Sequence, residues 1–397
     1  MSPRLPVGER VRDRRRRVGR TQAVLAGLCG ITTDYLSQIE RGLKTPSGEV
    51  LARLAAELQV PVGTLLGDTE PEHAPAAATG SSRIVRALLH RHGARQSLPS
   101  DELRARLEHA WRVWQTSPRR FTEAEELLPD LMRDVEGTVR ALRSGNDATA
   151  RREVLRIAAD LYGLLRSYYR RTGRPDLSLM VADRALRAAE DADDPLRVGA
   201  ARWNLGHVLL AQPGSEEDAA DVTMDAAHDL TALDTPAATA LRGALELVTV
   251  VAEARSRRPW AARERLAAAA VPLARQTGES NVHWTVFGPT NVMLHAVNVE
   301  MTAGDATEGL RLADRIDATQ MPSRERQFTF GLEVARCYDL RRDDAAVLVH
   351  LLELEQLAPE DLQHSPLGRE LVISLLGRVR PTYRPQATGL AQRLQLL

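Results

Sequence analysis

The sequence is poor in aromatic residues and almost free of lysine. Phe, Trp and Tyr make up 4% of the 397 residues, and Lys44 is the only lysine. Alanine, leucine and arginine are abundant instead, a composition that favours helices and gives a β-sheet few of the branched or aromatic side chains that stabilise it. The sequence therefore predicts an all-α protein, and a chain of this length predicts more than one packed unit.

Cysteines and long apolar runs are scarce as well. The two cysteines, Cys29 and Cys337, lie far apart, and no apolar leader precedes them. This pattern argues against a disulfide framework and predicts a reducing, cytoplasmic compartment. The longest stretch without a formal charge, residues 280–299, is interrupted by asparagine, histidine and proline. Because that stretch is a poor match to a membrane span, we expect no membrane partner.

Motifs that carry catalytic or metal chemistry are also missing. The sequence contains no GxxxxGK phosphate-binding loop and no GxSxG nucleophile turn. His90 and His92, like His283 and His295, lack companion cysteines or carboxylates at the spacing of a metal site. We therefore expect neither an enzyme nor a bound cofactor or metal.

Positive charge is concentrated at the amino terminus, although the formal net charge of the chain is zero. The first twenty residues hold eight arginines against Glu9 and Asp13. A basic segment on an otherwise neutral molecule attracts a partner that carries phosphates, because each neutralised phosphate releases bound counterions. The alternative, a helix face that is merely solvated, stays open at this point.

Three short helices are predicted in the first forty or so residues. Residues 7–17 read as the first helix, Thr21 caps a second over 22–28, and Thr32 caps a third that runs to about Arg41. Glycines between the helices supply the sharp turns. The inward positions can share one apolar cluster, formed by Leu25, Ile31, Leu36 and Ile39. This spacing predicts a helix-turn-helix.

Residues 5–68 resemble the Cro and phage-repressor type of helix-turn-helix domain, often called the xenobiotic response element family. The resemblance rests on the run TQAVLAGLCGITTDYLSQIERGLKTPSGEV and the closing helices Gly48–Leu58 and Val62–Leu66, and it implies a small five-helix domain. In that family the third helix lies in the major groove of DNA. By resemblance, the residues that face base edges are Thr33, Asp34, Ser37 and Gln38. The residues that contact phosphates are Gln22, Thr32, Tyr35, Arg41 and Lys44.

The resemblance also implies an ion pair between Arg15 and Glu40, which would join the first helix to the third. Asp34 departs from the neutral or basic residues that are more usual at its position. An acid that faces DNA repels phosphate unless a base donor satisfies it. The alternative role for Asp34 is to stabilise the amino-terminal end of the third helix through the helix dipole.

A longer helical region follows the first domain. The proline, alanine, glycine and serine content of residues 69–82 predicts a linker between a domain over 1–68 and another over 83–397. In the second domain, turn residues precede alanine-rich helices about every forty residues. These predicted starts are Gly173, Gly214, Arg257, Gly304 and Arg341. The region over about 120–380 resembles degenerate tetratricopeptide repeats, which implies an α-solenoid of helical hairpins with a concave face for sensing or dimerisation.

The segment over residues 281–300 concentrates aromatic, histidine and asparagine residues in a chain that has few of them. Its FGPTNV stretch resembles one in actinobacterial regulators that join this type of DNA-binding domain to a helical region. Pro289 can begin a helix there. The predicted effector-binding residues are His283, Trp284, Phe287, Asn291 and His295. The alternative is that Trp284 and Phe287 belong to the core and that Asn291 caps or braces a neighbouring hairpin.

Together these patterns predict a homodimeric transcriptional regulator that binds double-stranded DNA at pseudo-palindromic half-sites. A small molecule or a peptide bound by the helical domain would then shift the population of DNA-competent dimers. The alternative is a DNA-binding regulator whose repeat domain docks a partner protein and has no small ligand.

Overall fold

The computed structural model describes residues 7–17, 20–58, 60, 62, 65, 80–89, 98–143, 146–318, 321 and 323–397. The chain divides into two compact units, Met1–Ala76 and Ala77–Leu397. The described part of each unit consists mainly of helices, and β-structure within it is limited to one isolated bridge between Ser280 and Phe287, which confirms the predicted all-α class. Of the predicted linker, residues 80–82 open the first helix of the second unit, and the rest lie outside the described residues.

The first unit consists of short helices around one small core. The helices are α1 (Val7–Arg17), α2 (Gln22–Leu28), α3 (Thr33–Glu40) and α4 (Gly48–Glu57). The predicted fifth helix, over 62–66, falls largely outside the described residues. Val11, Leu25, Leu36 and Leu54 are completely buried at the centre of this unit. Gly8 lets α1 approach α3 closely, because a Cβ at this position would lie 1.9 Å from the carbonyl oxygen of Ile39.

The second unit is an α-solenoid of tetratricopeptide-like helical hairpins. Its helices are α5 (Gly80–Leu89), α6 (Ser100–Thr116), α7 (Arg120–Leu142), α8 (Ala148–Arg171), α9 (Pro175–Asp191), α10 (Pro195–Leu209), α11 (Glu216–Asp229), α12 (Pro236–Arg255), α13 (Pro259–Arg265), α14 (Val271–Thr277), α15 (Pro289–Ala303), α16 (Ala306–Ala313), α17 (Arg324–Leu340), α18 (Asp344–Leu357), α19 (Pro359–His364), α20 (Pro366–Arg378) and α21 (Arg384–Arg393). A π-helical turn joins α13 to α14. None of the described helices is long and apolar enough to cross a membrane.

The predicted repeat starts fall at the turns that precede α9, α11, α13, α16 and α18. The backbone at these turns enters the left-handed region, in which glycine is favoured. Gly173, Gly214 and Gly304 have φ values of 71, 85 and 86°. Arg257 and Arg342 occupy the same region with φ values of 59 and 60°. The sequence signal therefore marks the residue that ends one helix and redirects the chain into the next.

Alternate helices form an inner layer that closes on itself. The helices α6, α8, α10, α12, α15 and α17 each contact the next in this order, and α17 also contacts α6. Arg324 of α17 donates a hydrogen bond from Nε to the carbonyl oxygen of Thr116 in α6, at 2.9 Å. The inner layer therefore encloses an interior surface to which helices distant in sequence contribute.

Buried polar contacts reinforce this closure next to α6. Glu360 of α19 accepts hydrogen bonds from the backbone N–H groups of Phe121 (2.7 Å) and Thr122 (3.2 Å) at the start of α7. Arg120 forms an ion pair with Asp361, and the two side chains are only 2 and 3% exposed. Because these groups are more than 230 residues apart in sequence, they hold the two ends of the solenoid together.

Candidate nucleic-acid interface and interior surface

Two threonine caps define the helix-turn-helix geometry. The Oγ1 atom of Thr21 accepts a hydrogen bond from the N–H of Val24 at 3.2 Å, and Oγ1 of Thr32 accepts one from the N–H of Tyr35 at 3.1 Å. Each cap satisfies a backbone donor that the first turn of a helix leaves free. Gly30, with φ at 63°, makes the turn between α2 and α3.

A buried ion pair fixes α3 against α1, as the family resemblance predicts. Arg15 donates from Nε to Oε1 of Glu40 at 2.6 Å and from Nη2 to Oε2 at 2.9 Å. Gln22 donates from Nε2 to the same Oε2 at 2.7 Å. Burial alone would raise the pKa of Glu40, but the hydrogen bonds from Arg15 and Gln22 lower it below its usual value. Glu40 therefore stays ionised and joins the first three helices.

The opposite side of α3 carries most of the predicted DNA-contacting residues. Thr32, Thr33, Asp34, Arg41 and Lys44 are exposed, and Tyr35, Ser37 and Gln38 are half-buried. Gln22, the ninth predicted residue, is half-buried as well, and one of the two N–H groups of its side-chain amide is donated to Glu40. All nine predicted side chains are thus at least partly exposed at the surface of the first unit.

The structure gives Asp34 a partner within the helix. Gln38 donates from Nε2 to Oδ2 of Asp34 at 2.7 Å, one turn along α3. This bond shields the acid and orients the Gln38 amide, whose second N–H and Oε1 stay free to pair with N7 and N6 of an adenine. Lys44 lies 5.5 Å from the ring centroid of Tyr35, so its ammonium group also belongs to this face.

The five predicted effector residues do not line one common site. Phe287 is completely buried in the core of the second unit, against Gly243, so it has no surface to offer a ligand and the prediction is wrong for this side chain. Asn291 is also buried, and its Nδ2 donates to the carbonyl oxygen of Val286 at 2.7 Å. The alternative interpretation, core packing, describes Phe287. The bond of Asn291 stays within its own segment, and its Oδ1 is buried without a hydrogen-bond partner among the described residues, so the prediction for Asn291 stays open.

The loop before α15 is strained. His283, Trp284 and Val286 have φ values of 46, 58 and 50°, and each such non-glycine residue costs on the order of 1–3 kcal/mol. Trp284 stacks on Trp111 of α6, with ring centroids 4.8 Å apart and 3° between the planes. Aromatic packing against the inner layer therefore helps to hold this conformation.

Burial of His283 predicts a pH-dependent stability. Its Nδ1 lies 3.9 Å from Oδ1 of Asp160, but burial and the charge of Arg197 lower the pKa of His283 to about 4. Between the ordinary histidine value of about 6.5 and 4, the unfolded chain therefore binds a proton that the folded chain does not bind. Burial raises the pKa of the neighbouring Asp160 to about 6, which acts in the opposite direction over the same range. We therefore expect His283→Asn to remove a destabilising contribution, so that the change in melting temperature from pH 7 to pH 5 is less unfavourable in this variant than in the wild type; asparagine is chosen because it tolerates positive φ.

The matched control for this prediction is His228→Asn, at an exposed histidine of α11. Melting temperatures would be measured by circular dichroism at pH 7 and pH 5, and the change between the two should be the same for this control as for the wild type. An unaltered change in His283→Asn would mean that other groups cause the pH dependence.

The inner layer also carries a group of polar residues that the sequence alone did not single out. Arg166 and Arg170 lie on α8, His207 on α10 and Arg326 on α17, whereas the predicted residue His295 lies beside them on α15. Arginine is so common in this chain that single arginines carry little signal. The sequence feature that could have identified this group is the spacing of Arg166 and Arg170, which lie one turn apart on a helix whose other residues are mostly buried.

Comparisons with known proteins place the clearest similarity in the first unit. Residues 6–66 match the family described as a helix-turn-helix domain. The transcriptional regulator ClgR of Mycobacterium tuberculosis is 39% identical over 62 residues, which cover 16% of this chain and 55% of ClgR. The HTH-type transcriptional regulator SinR of Bacillus subtilis is 40% identical over 63 residues, which cover 16% of this chain and 57% of SinR. The chain thus spans little more than half the length of these relatives.

Two solved structures are similar over a larger part of the chain but only weakly. One is PlcR of Bacillus thuringiensis in complex with the peptide PapR7 and DNA, with a TM-score of 0.29, 14% identity, and coverage of 66% of this chain and 92% of that one. The other is the apo form of ComR from S. thermophilus, with a TM-score of 0.32, 11% identity, and coverage of 86% and 98%. The solenoid fold of the second unit is therefore inferred from the contacts between its own helices and not from these weak similarities. Residues 6–66 of the chain therefore match the helix-turn-helix domain family and are similar in sequence to part of two bacterial transcriptional regulators.

Proposed function

We propose that this protein is a transcriptional regulator that reads a DNA sequence with α3. The observation that carries the proposal is the outward polar face of α3 on a base fixed by the Arg15–Glu40 ion pair. In this arrangement Thr33, Ser37 and Gln38 meet base edges in the major groove, and Arg41 and Lys44 contact phosphates. The sequence similarity of residues 6–66 to helix-turn-helix regulators supports the same assignment.

We further propose that the protein acts as a homodimer on pseudo-palindromic half-sites and that the second unit senses an effector. A two-fold dimer matches half-sites about one helical turn apart. The closed inner layer supports a sensing role, because a ligand that contacts several of its helices would bias their arrangement.

A second candidate role for the helical unit is the docking of a partner protein. The observation that favours it is an apolar groove of about 580 Å³ among α16, α17 and α18, lined by residues that include Leu310, Phe330 and Leu354. In that case partner binding, and not a small ligand, would tune the regulator.

The test of DNA reading uses the paired variant Ser37→Ala with Gln38→Ala. Sites would first be selected from a random oligonucleotide pool with the wild-type protein. A lost bidentate contact removes about 1–3 kcal/mol of discrimination between bases, so we expect the preference for the selected site over random DNA to fall by about tenfold to a hundredfold. Gel retardation against both DNAs measures this ratio.

The matched control is Lys44→Ala, which removes a predicted phosphate contact from the same face. It should weaken binding to both DNAs alike and reduce the salt dependence, leaving the preference unchanged. An unchanged preference in the Ser37 and Gln38 variant would contradict the assignment of α3 as the reading helix.

A further inference from the structure

Arg166 is a buried cation without an acidic partner. Its residue surface is only 3% exposed, and its Nε donates to Oδ1 of Asn204 at 2.6 Å. The guanidinium carbon lies 5.2 Å from the ring centroid of Trp203. Within the described part of the chain, no carboxylate forms an ion pair with Arg166, and a buried charge held only by neutral groups is unfavourable.

More positive charge surrounds this buried group. Arg170 lies one turn further along α8, and Arg326 of α17 donates from Nη2 to the carbonyl oxygen of Thr285 at 3.3 Å. Neither arginine has an ion pair with a carboxylate of the described residues. The nearby acid Glu325 is already paired with Arg171 and Arg120. The inner layer therefore holds three arginines that no described acid pairs with.

The electrostatic effects on neighbouring groups agree with this excess of positive charge. Burial, and then the charges of Arg166, Arg170 and Arg326, lower the pKa of His207 well below the ordinary value. Burial and the charge of Arg326 also lower the pKa of His295 to about 4, against the effect of its hydrogen bond with Asn291. Both histidines are therefore neutral at pH 7 and can donate a hydrogen bond without a charge.

The side chains of this cluster differ in their exposure. Arg170 is exposed, and Arg326, His207 and His295 are half-buried, whereas Arg166 lies beneath them. Trp203 and His207 are in edge contact, with ring centroids 4.5 Å apart, so the aromatic ring joins the base of the cluster to its accessible part. The arginines that are not fully buried therefore offer donors to a ligand whose charge would also satisfy the buried Arg166.

We propose that Arg166, Arg170 and Arg326, with His207 and His295, form a binding site for an oxyanion, the carboxylate or phosphate group of a small effector. Guanidinium groups suit this ligand because their N–H groups match two oxygen atoms at once. The site would join α8, α10, α15 and α17, so its occupation would hold the inner layer in one arrangement. Its role as an effector site rests on the proposed sensing function of the second unit.

The test is calorimetric titration of the full-length protein with two kinds of oxyanion. Sodium pyrophosphate represents phosphate, and tetraalanine with a free carboxyl terminus represents carboxylate, with amidated tetraalanine as its blank. We expect one of the two anions to bind with one-to-one stoichiometry, and the one that binds identifies the group. Arg170→Gln and Arg326→Gln should each weaken that binding at least tenfold. These two side chains are not fully buried, so both variants are expected to fold.

The matched control is Arg202→Gln, at an arginine of α10 that pairs with Asp229 at 2.7 Å, and it should bind as the wild type does. The proposal is overturned if neither anion binds at about 1 mM, the range of weak specific binding, or if the two cluster variants bind undiminished. Gel retardation on the same preparation separates the two proposals. DNA binding without anion binding overturns the oxyanion site alone, and anion binding without DNA binding overturns the regulator assignment alone.

Discussion

Replacing Glu40 with alanine is expected to destabilise the first unit by about 3–5 kcal/mol, because it leaves a buried guanidinium without its carboxylate. Arg15 would lose two charge-assisted hydrogen bonds and Gln22 would lose its acceptor. The two cysteines allow the effect to be measured in the intact chain. Cys29 is buried in the first unit and Cys337 in the second, with 1 and 0% exposed surface.

The measurement is the rate of alkylation of each thiol, mapped by peptide mass spectrometry. Local opening of the first unit should speed the labelling of Cys29 by about a hundredfold or more, since each 1.4 kcal/mol corresponds to a factor of ten, while Cys337 stays protected. The matched control is Glu49→Ala, which removes an exposed pair with Arg53 at 2.5 Å and should change stability by less than about 1 kcal/mol. Unchanged protection of Cys29 in Glu40→Ala would show that the ion pair does not hold the unit together.

Replacing Phe287 with alanine is expected to destabilise the second unit by about 3–5 kcal/mol, because the fully buried ring leaves a cavity. A substitution that crowds the same contact should destabilise the second unit as well. A Cβ added at Gly243 would lie 2.0 Å from Cζ of Phe287, so we expect Gly243→Ala to lower the free energy of unfolding of this unit by about 1–3 kcal/mol. In the double variant the new methyl group occupies part of the cavity, and the combined loss should be smaller than the sum of the two.

Denaturant unfolding followed by tryptophan fluorescence measures these free energies, since all five tryptophans belong to the second unit. The matched control is Ile373→Ala, at a side chain that is 55% exposed, and it should cost no more than about 0.5 kcal/mol. Additive losses in the double variant would contradict the direct contact between Phe287 and position 243.

The features that the sequence predicted correctly are those that a few neighbouring residues determine. Thr21 and Thr32 cap the helices that follow them because a hydroxyl reaches a backbone donor three residues ahead. The five repeat starts coincide with turns whose backbone enters the left-handed region, which glycine adopts without strain at three of them and an arginine occupies at the other two. The Arg15–Glu40 pair joins positions 25 residues apart, and it was predicted only through the family resemblance.

The features that the sequence did not reveal depend on contacts between distant segments. The closure of the inner layer brings Arg120 to Asp361, which no local pattern indicates. The composition around Phe287 indicated an unusual segment, but whether the ring faces a ligand or the core depends on the approach of Gly243 from another helix. The arginine cluster depends likewise on which of many arginines lack an acidic neighbour once the solenoid is formed.

DNA binding of the purified full-length protein as a function of salt tests the central claim most directly. With selected sites and with random DNA, we expect binding at low salt, a linear fall of the logarithm of the association constant with the logarithm of salt concentration, and a preference for the selected site that stays when the salt concentration is raised. A protein that binds neither DNA at low salt, or that binds both equally at every salt concentration, would contradict the assignment of α3 as a helix that reads bases in the major groove.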